Sequence, residues 1–418
     1  MRQPTPILRA AFVAPMDAPM IRDGAVVTAG GRVVEVGPAG RVLTAHAGRK
    51  VADLGDAVLL PGLVNAHAHL ELSLIRCPLP APPPFVDWLY TVSANARRPD
   101  FEDWILTGMV AGVQQCIPFG VTCVGDICQH IAIARPMLFS MKPRPRVVSF
   151  AEVLGLAKRR YRFEELLDAA AVPLRQDDRF RAGLSPHAPY SVDRRGFEQA
   201  LQLARSRELP IATHLAESAS EREFLESHTG PFRELLDHIG SLEEPLDTFQ
   251  GSPIAFARSI GLLDYERSSL AHVNYCDDEE LAMLARGKAS VVYCPRTHAY
   301  FGHPPHRWRD MLAAGINVAV GTDSCASSPD LNLVDDLRLL HRIAPDVTAE
   351  SLWQMATTRS ARAVCWDDEV GSITVGKRAD FVAFRTSGAS PDPLRDVLET
   401  DVLPTGTWMH GRRVFSRA

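Results

Sequence analysis

The pattern of apolar and polar positions divides the chain into two β-rich ends and a long middle. In the middle, short apolar runs alternate with amphipathic stretches. Near the start, residues 24–37 read as two strands around the turn Gly30-Gly31. Near the end, residues 381–384 read as a strand and 408–414 as a closing hairpin. Candidate strands of the middle end near His67, Asp126, Glu152, His187, His214, His272, Pro295 and Asp323. Between them, stretches such as 197–204 and 278–284 carry apolar residues at helical spacing.

Strands alternating with helices predict an α/β fold with a parallel sheet, and over residues 61–370 the number of units fits a (β/α)8 TIM barrel. Residues 1–60 and 371–418 are expected to form one small β-sandwich domain from both termini. An open doubly wound sheet shares this alternation, but no G-x-G-x-x-G opens a helix. The Pro-rich stretch 78–84 follows the first barrel strand and reads as a stiff loop or as one wall of the barrel mouth.

Composition narrows the class. The chain has 418 residues, 45 basic and 50 acidic, and is 46% hydrophobic. A net charge of −5 gives no broad basic surface for nucleic acid or for a membrane. No apolar run is long enough to span a bilayer. The first twenty residues are broken by Arg9 and Pro15, so a signal peptide is not expected. Eight cysteines without a framework spacing read as free thiols in a cytoplasmic protein.

The candidate chemistry sits at the strand ends. His67 and His69 are two apart, so on a strand both imidazoles face one side and can reach one metal ion. Alone this pair is a weak signal. His214, His272 and Asp323 add weight, because each also closes an apolar run. In a barrel, polar groups at the C-terminal strand ends converge on one mouth, whereas core histidines would be scattered.

The stretch from Pro61 to Leu70 with its two histidines, His214-Leu215-Ala216-Glu217, the lone His272, Gly321-Thr322-Asp323-Ser324 and residues 371–382 together resemble the amidohydrolase superfamily. The likeness is to its cytosine-deaminase-like and chlorohydrolase-like branch. The resemblance implies a metal-dependent hydrolase acting on C–N bonds other than peptide bonds. His67, His69, His214 and Asp323 would hold one divalent ion per chain, with Zn²⁺ the first choice and Fe²⁺ the second. Glu217 would carry protons from the attacking water to a ring nitrogen of the substrate and then to the leaving group. His272 would orient the hydroxide and stabilise the tetrahedral intermediate. Asp323 would accept a proton as well. The fourth strand contains no Lys, which argues against a carboxylated-lysine bridge and for a single metal.

For the substrate, the expected reaction is loss of an exocyclic amine from an aromatic N-heterocycle, with release of ammonia. A purine-like base or a modified nucleoside of the aminodeoxyfutalosine type is favoured. Candidate substrate contacts are His187, Arg296, Glu71, Trp88 and His298. Arg296 and His298 follow Cys294-Pro295, where related deaminases of adenosylhomocysteine and guanine carry a Ser-Asn pair. The partner expected is a small molecule, with no nucleic acid and no membrane, and the resemblance implies a homodimer. Two other readings stay open: a hydrolase with another leaving group, such as chloride or alkylamine from a triazine or a cyclic amide, and a binding protein that kept the barrel without catalysis.

Overall fold

The computed structural model describes residues 5–75, 84–172, 177–243, 246, 249 and 251–417. Eight parallel strands follow one another in chain order around one sheet. They are β1 Leu63–Ala68, β2 Val121–Cys128, β3 Arg146–Val153, β4 Phe180–Pro186, β5 Ile211–Leu215, β6 Ser268–His272, β7 Ser290–Tyr293 and β8 Val318–Val320. The ring closes where the chain after β8 meets β1: the amides of Thr322 and Asp323 both donate to the His67 carbonyl, at 3.1 and 3.0 Å. Gly321 permits this approach, since a Cβ there would lie 2.7 Å from the His67 backbone oxygen. The result is the (β/α)8 barrel expected from the alternation, with every strand ending within a few residues of its predicted stop.

Helices cover the outside because their apolar residues fall on one stripe. In the helix Arg194–Ser206, Phe197, Ala200, Leu201 and Ala204 are buried, and Asp193 caps the start by accepting from the Gly196 amide at 2.7 Å. The helix Asp278–Arg286 begins with a reciprocal capping box between Asp277 and Glu280. Inside the barrel, Val64, Cys123, Val148, Phe150, Ala212, Val292 and Ala319 pack together, with Val364 and Trp366 in the same cluster.

Both termini contribute to a second, mixed sheet. Its order is Arg412–Ser416, Gly406–Met409, Phe381–Arg385, Ala57–Pro61, Ile7–Val13, Ile21–Ala29 and Arg32–Pro38, with Val51–Asp53 also paired to Ile7–Val13. Gly30 and Gly31 make the expected turn, both with positive φ. The sheet curls far enough for its last strand to meet the segment before Phe381, where the Val33 amide donates to Lys377 O at 2.9 Å. Leu8, Val26, Leu59, Phe381 and Trp408 fill the curl. No helix among the described residues is long and apolar enough to cross a membrane. Most of the Pro-rich stretch 78–84 lies outside the described residues; Pro84 precedes the helix Phe85–Ser93.

Candidate active site

The C-terminal strand ends bring the predicted chemistry to one mouth. His67 lies within β1 and His69 just after it. The pairing of β1 with β2 slips between Asn65 and Ala68, so the end of β1 departs from strict alternation. His214 lies in β5, His272 ends β6, and Asp323 follows β8 by three residues. The reacting ends are set by unusual backbone: Ala216, His272, Val273 and Asp323 all have positive φ, between 51° and 72°. Such conformations cost about 1–3 kcal/mol each in a non-glycine residue and concentrate at functional sites.

The side chains meet closely. One ligand atom from each of His67, His69 and His214 lies within 4.8 Å of the others. Asp323 Oδ1 is 3.7 Å from His67 Nε2 and 3.5 Å from His69 Nε2. The Nε2 atoms of His69 and His214 are only 3.3 Å apart. Two ring nitrogens so close either share one proton or turn lone pairs to a common cation.

Several contacts aim these groups. His214 donates Nδ1–H to the His187 carbonyl at 3.2 Å, which leaves its Nε2 for the centre. Ser327 donates to Asp323 Oδ2 at 2.8 Å, leaving Oδ1 toward the histidines. His67 Nε2 and His272 Nε2 are buried without a hydrogen-bond partner. A buried polar atom left bare is costly. Three imidazoles and one carboxylate that turn their nitrogens and Oδ1 to one point, with His67 Nε2 bare, fit a divalent cation.

Burial sets the protonation states. It pushes His69 down to about 4 and His187 down to about 3, and it holds His214 and His272 well below the usual histidine range. Neutral imidazoles are the metal-binding form. Burial alone would raise the Asp323 carboxyl, but His67, His69 and His272 around it outweigh that and hold it below the usual carboxylate range. Glu217 is pushed up, first by burial and then by Asp323 and Glu221. Its Oε1 is 3.4 Å from His272 Nε2. The Glu217 amide donates to Glu221 at 2.8 Å and its carbonyl accepts from Asn274 at 3.0 Å, so the turn that carries it is held at both ends.

Above the centre opens a cavity of about 640 Å³. Its walls combine aromatic residues, including Phe85, Trp88, Tyr190 and Phe232, with polar ones such as Gln129 and Arg162, and His69, His214, Glu217 and Asp323 lie at the base. Glu71, Trp88 and His187 line it, as their candidate roles require. Glu71 also accepts from the amides of Gln129 and His130, at 3.2 and 3.3 Å, and so ties the exit of β1 to that of β2. Trp88 donates to Ala326 O at 3.2 Å and meets Phe301 edge to face.

Arg296 and His298 do not reach the cavity, contrary to their expected part in reading the substrate. Arg296 pairs with Asp336 at 2.9 Å and Asp330 at 2.8 Å, and the Asp336 side chain is fully buried. His298 meets the Pro304 carbonyl at 2.9 Å and holds the loop behind its helix. Each nitrogen of the Arg296 guanidinium is occupied by these carboxylates or by the carbonyls of Asp330 and Asn332.

Two residues that the pattern did not single out stand near the centre. Glu152 closes the apolar run of β3 and lines the cavity. It carries the same signal as the selected residues, a polar side chain at a barrel strand end. His306 donates Nε2–H to the His272 carbonyl at 2.8 Å and stacks on Tyr293 with ring centres 3.9 Å apart. No local signal in the sequence points to that contact.

The amidohydrolase family model matches residues 58–414. The chain belongs to the amidohydrolase family. This amidohydrolase is 27% identical over 389 residues to the 5-methylthioadenosine/S-adenosylhomocysteine deaminase of Moorella thermoacetica, a match covering 90% of this chain and 84% of that protein. An adenosine deaminase from Xanthomonas campestris with bound zinc superposes with a TM-score of 0.81 at 25% identity, over 99% of this chain and 94% of that one. Helicobacter pylori aminofutalosine deaminase, in complex with methylthio-coformycin, shares the fold with a TM-score of 0.83 at 23% identity, over 98% of this chain and all of that one. This amidohydrolase is a hydrolase of C–N bonds other than peptide bonds.

Proposed function

We propose that this amidohydrolase is a metal-dependent deaminase of a purine-like nucleoside, exchanging an exocyclic amine for oxygen and releasing ammonia. One observation carries the reading. His67, His69, His214 and Asp323 converge beside the Glu217–His272 pair at the base of one cavity with aromatic side chains in its walls. The Moorella and Xanthomonas relatives, named as deaminases of adenosine or adenosine-derived compounds, support the substrate class. A cavity of about 640 Å³ suits a heterocycle that carries a sizeable substituent.

His67, His69, His214 and Asp323 would hold one divalent ion, and their nitrogen and oxygen donors suit Zn²⁺ first and Fe²⁺ second. When bound, such an ion makes a water acidic enough to supply hydroxide near neutral pH. Glu217 takes the first proton of the attacking water and passes it to the ring nitrogen beside the amine-bearing carbon. His272 offers its bare Nε2 to the incoming oxygen and steadies it as the carbon becomes tetrahedral. Asp323 takes the second proton, which goes to the amine so that it leaves as ammonia. The seven described cysteines form no disulfide with one another, which suits a reducing compartment such as the cytoplasm.

Product analysis across amino-purines, amino-nucleosides, pterins, cytosine and aminotriazines tests the proposal. Ammonia from the nucleosides is the expected result. Release of chloride, alkylamine or a ring-opened acid without ammonia would overturn it.

A further inference from the structure

Glu152 has no part in the proton transfers just described, yet its placement is that of a site residue. It lies in β3 and is 6% exposed, and its Oε1 has no hydrogen-bond partner. Gln129 hydrogen-bonds the same carboxyl. On the neighbouring strand the register pairs Glu152 with Ser185 and Val153 with Pro186, which brings His187 beside it. Glu152 Oε1 and His187 Nε2 are 4.0 Å apart. That is too far for a hydrogen bond between them and close enough for one small polar group to bond both.

The orientation of His187 is fixed from behind. Its Nδ1 meets Ser191 Oγ at 2.7 Å, and that hydroxyl reaches Ala188 O at 3.0 Å. Nε2 is therefore the ring atom that faces Glu152. The pair also borders the metal ligands. The His187 and His214 ring centres are 4.9 Å apart, and the ligand atoms of Glu152, His187 and His214 lie within 4.8 Å of one another. A group held there stands about one ring's breadth from the reacting centre.

We infer that Glu152 and His187 together read a hydroxyl group of the substrate, of the kind a sugar carries. The inference rests on the nucleoside reading and deepens it. With Nδ1–H given to Ser191, whose own hydrogen goes to Ala188 O, His187 Nε2 is an acceptor; a hydroxyl donates its one hydrogen there and accepts from the protonated Glu152 carboxyl. A carbonyl or phosphate oxygen only accepts, and an ammonium only donates. One such group completes the bare Glu152 Oε1 and bonds the His187 Nε2 that stands 4.0 Å from it.

The test compares a 6-aminopurine riboside with its 2′-deoxy and 3′-deoxy forms. Turnover is read as kcat/KM for ammonia in the parent, Glu152→Ala and Glu152→Gln. Binding of the same compounds is read with Glu217→Gln alone and with each Glu152 substitution added. Bound metal is measured throughout. The parent is expected to favour the riboside over at least one deoxy form by about 10- to 100-fold, the range of a hydrogen bond to a buried polar group. Glu152→Ala should bring that ratio close to one, and Glu152→Gln should keep part of it, with metal content unchanged. A ratio that survives Glu152→Ala overturns the inference, and so does a parent that binds all three compounds alike. A hydroxyl preference in binding without ammonia from any compound upholds the inference and overturns the deaminase reading. Absence of nucleoside binding overturns both.

Discussion

The two ends of the barrel each hold a cluster of buried polar side chains, and the clusters are built on opposite terms. At the N-terminal end, Arg146 opens β3 with no exposed side-chain surface. Its Nε donates to Asp380 at 2.9 Å, one terminal nitrogen donates to the Asp178 carbonyl, and the other meets His410 Nε2 at 2.9 Å. Asp380 in turn accepts from the His410 amide at 2.8 Å. At the mouth, His67, His272 and Glu152 each keep an atom bare. A closed set of partners ties the barrel to the terminal sheet and leaves nothing over for chemistry. An open set costs stability and keeps atoms free for a cation, a water and a substrate. Burial and polarity look alike at the two ends; partner satisfaction tells them apart.

The sharpest way to break this comparison is to remove a ligand from the open end. His67→Ala should lose bound metal and ammonia release together, with elemental analysis and turnover as the readouts; full metal content in that variant would contradict the ligand assignment. Next in size, Glu217→Gln should keep the metal and lower kcat by about 10²- to 10⁴-fold, the usual contribution of a positioned acid–base group. An enzyme that stays active after that change has another proton carrier. At the closed end, Asp380→Ala should strand the Arg146 charge and cost about 3–5 kcal/mol of stability, read by denaturant unfolding. Turnover per folded molecule should hold in that variant, and a selective loss of kcat would blur the distinction between the ends. The smallest effect is expected from His306→Ala, which frees the His272 carbonyl. It should lower kcat about tenfold by loosening the imidazole beside Glu217, with metal retained and with partial rescue by His306→Gln.

Much of the fold was legible because one simple pattern repeats. An apolar run closed by a polar residue marked the end of seven of the eight barrel strands, from His67 to Asp323, and helical stripes such as 197–204 lay between. The same rule gathered His67, His69, His214, His272 and Asp323, whose convergence follows from barrel topology alone. What escaped it depends on contacts across the chain. Arg296 reads equally as a substrate contact or as half of an ion pair until Asp330 and Asp336, 34 and 40 residues on, are seen to occupy it. His306 reaches the His272 carbonyl over 34 residues. The left-handed backbone of Ala216, His272 and Asp323 has no local marker, because it is imposed by closure of the ring and by the turns above it. Glu152 did carry the strand-end signal, and only its bare oxygen beside His187 shows why that signal counts.

The claim that the mouth is a metal-dependent deaminase centre is tested most directly by titrating metal back into chelator-treated protein while ammonia release from an amino-nucleoside is followed. No turnover is expected without metal, and a linear rise should saturate near one Zn²⁺ or Fe²⁺ per chain. Turnover that persists after metal removal, or that never appears with the site filled, would contradict it.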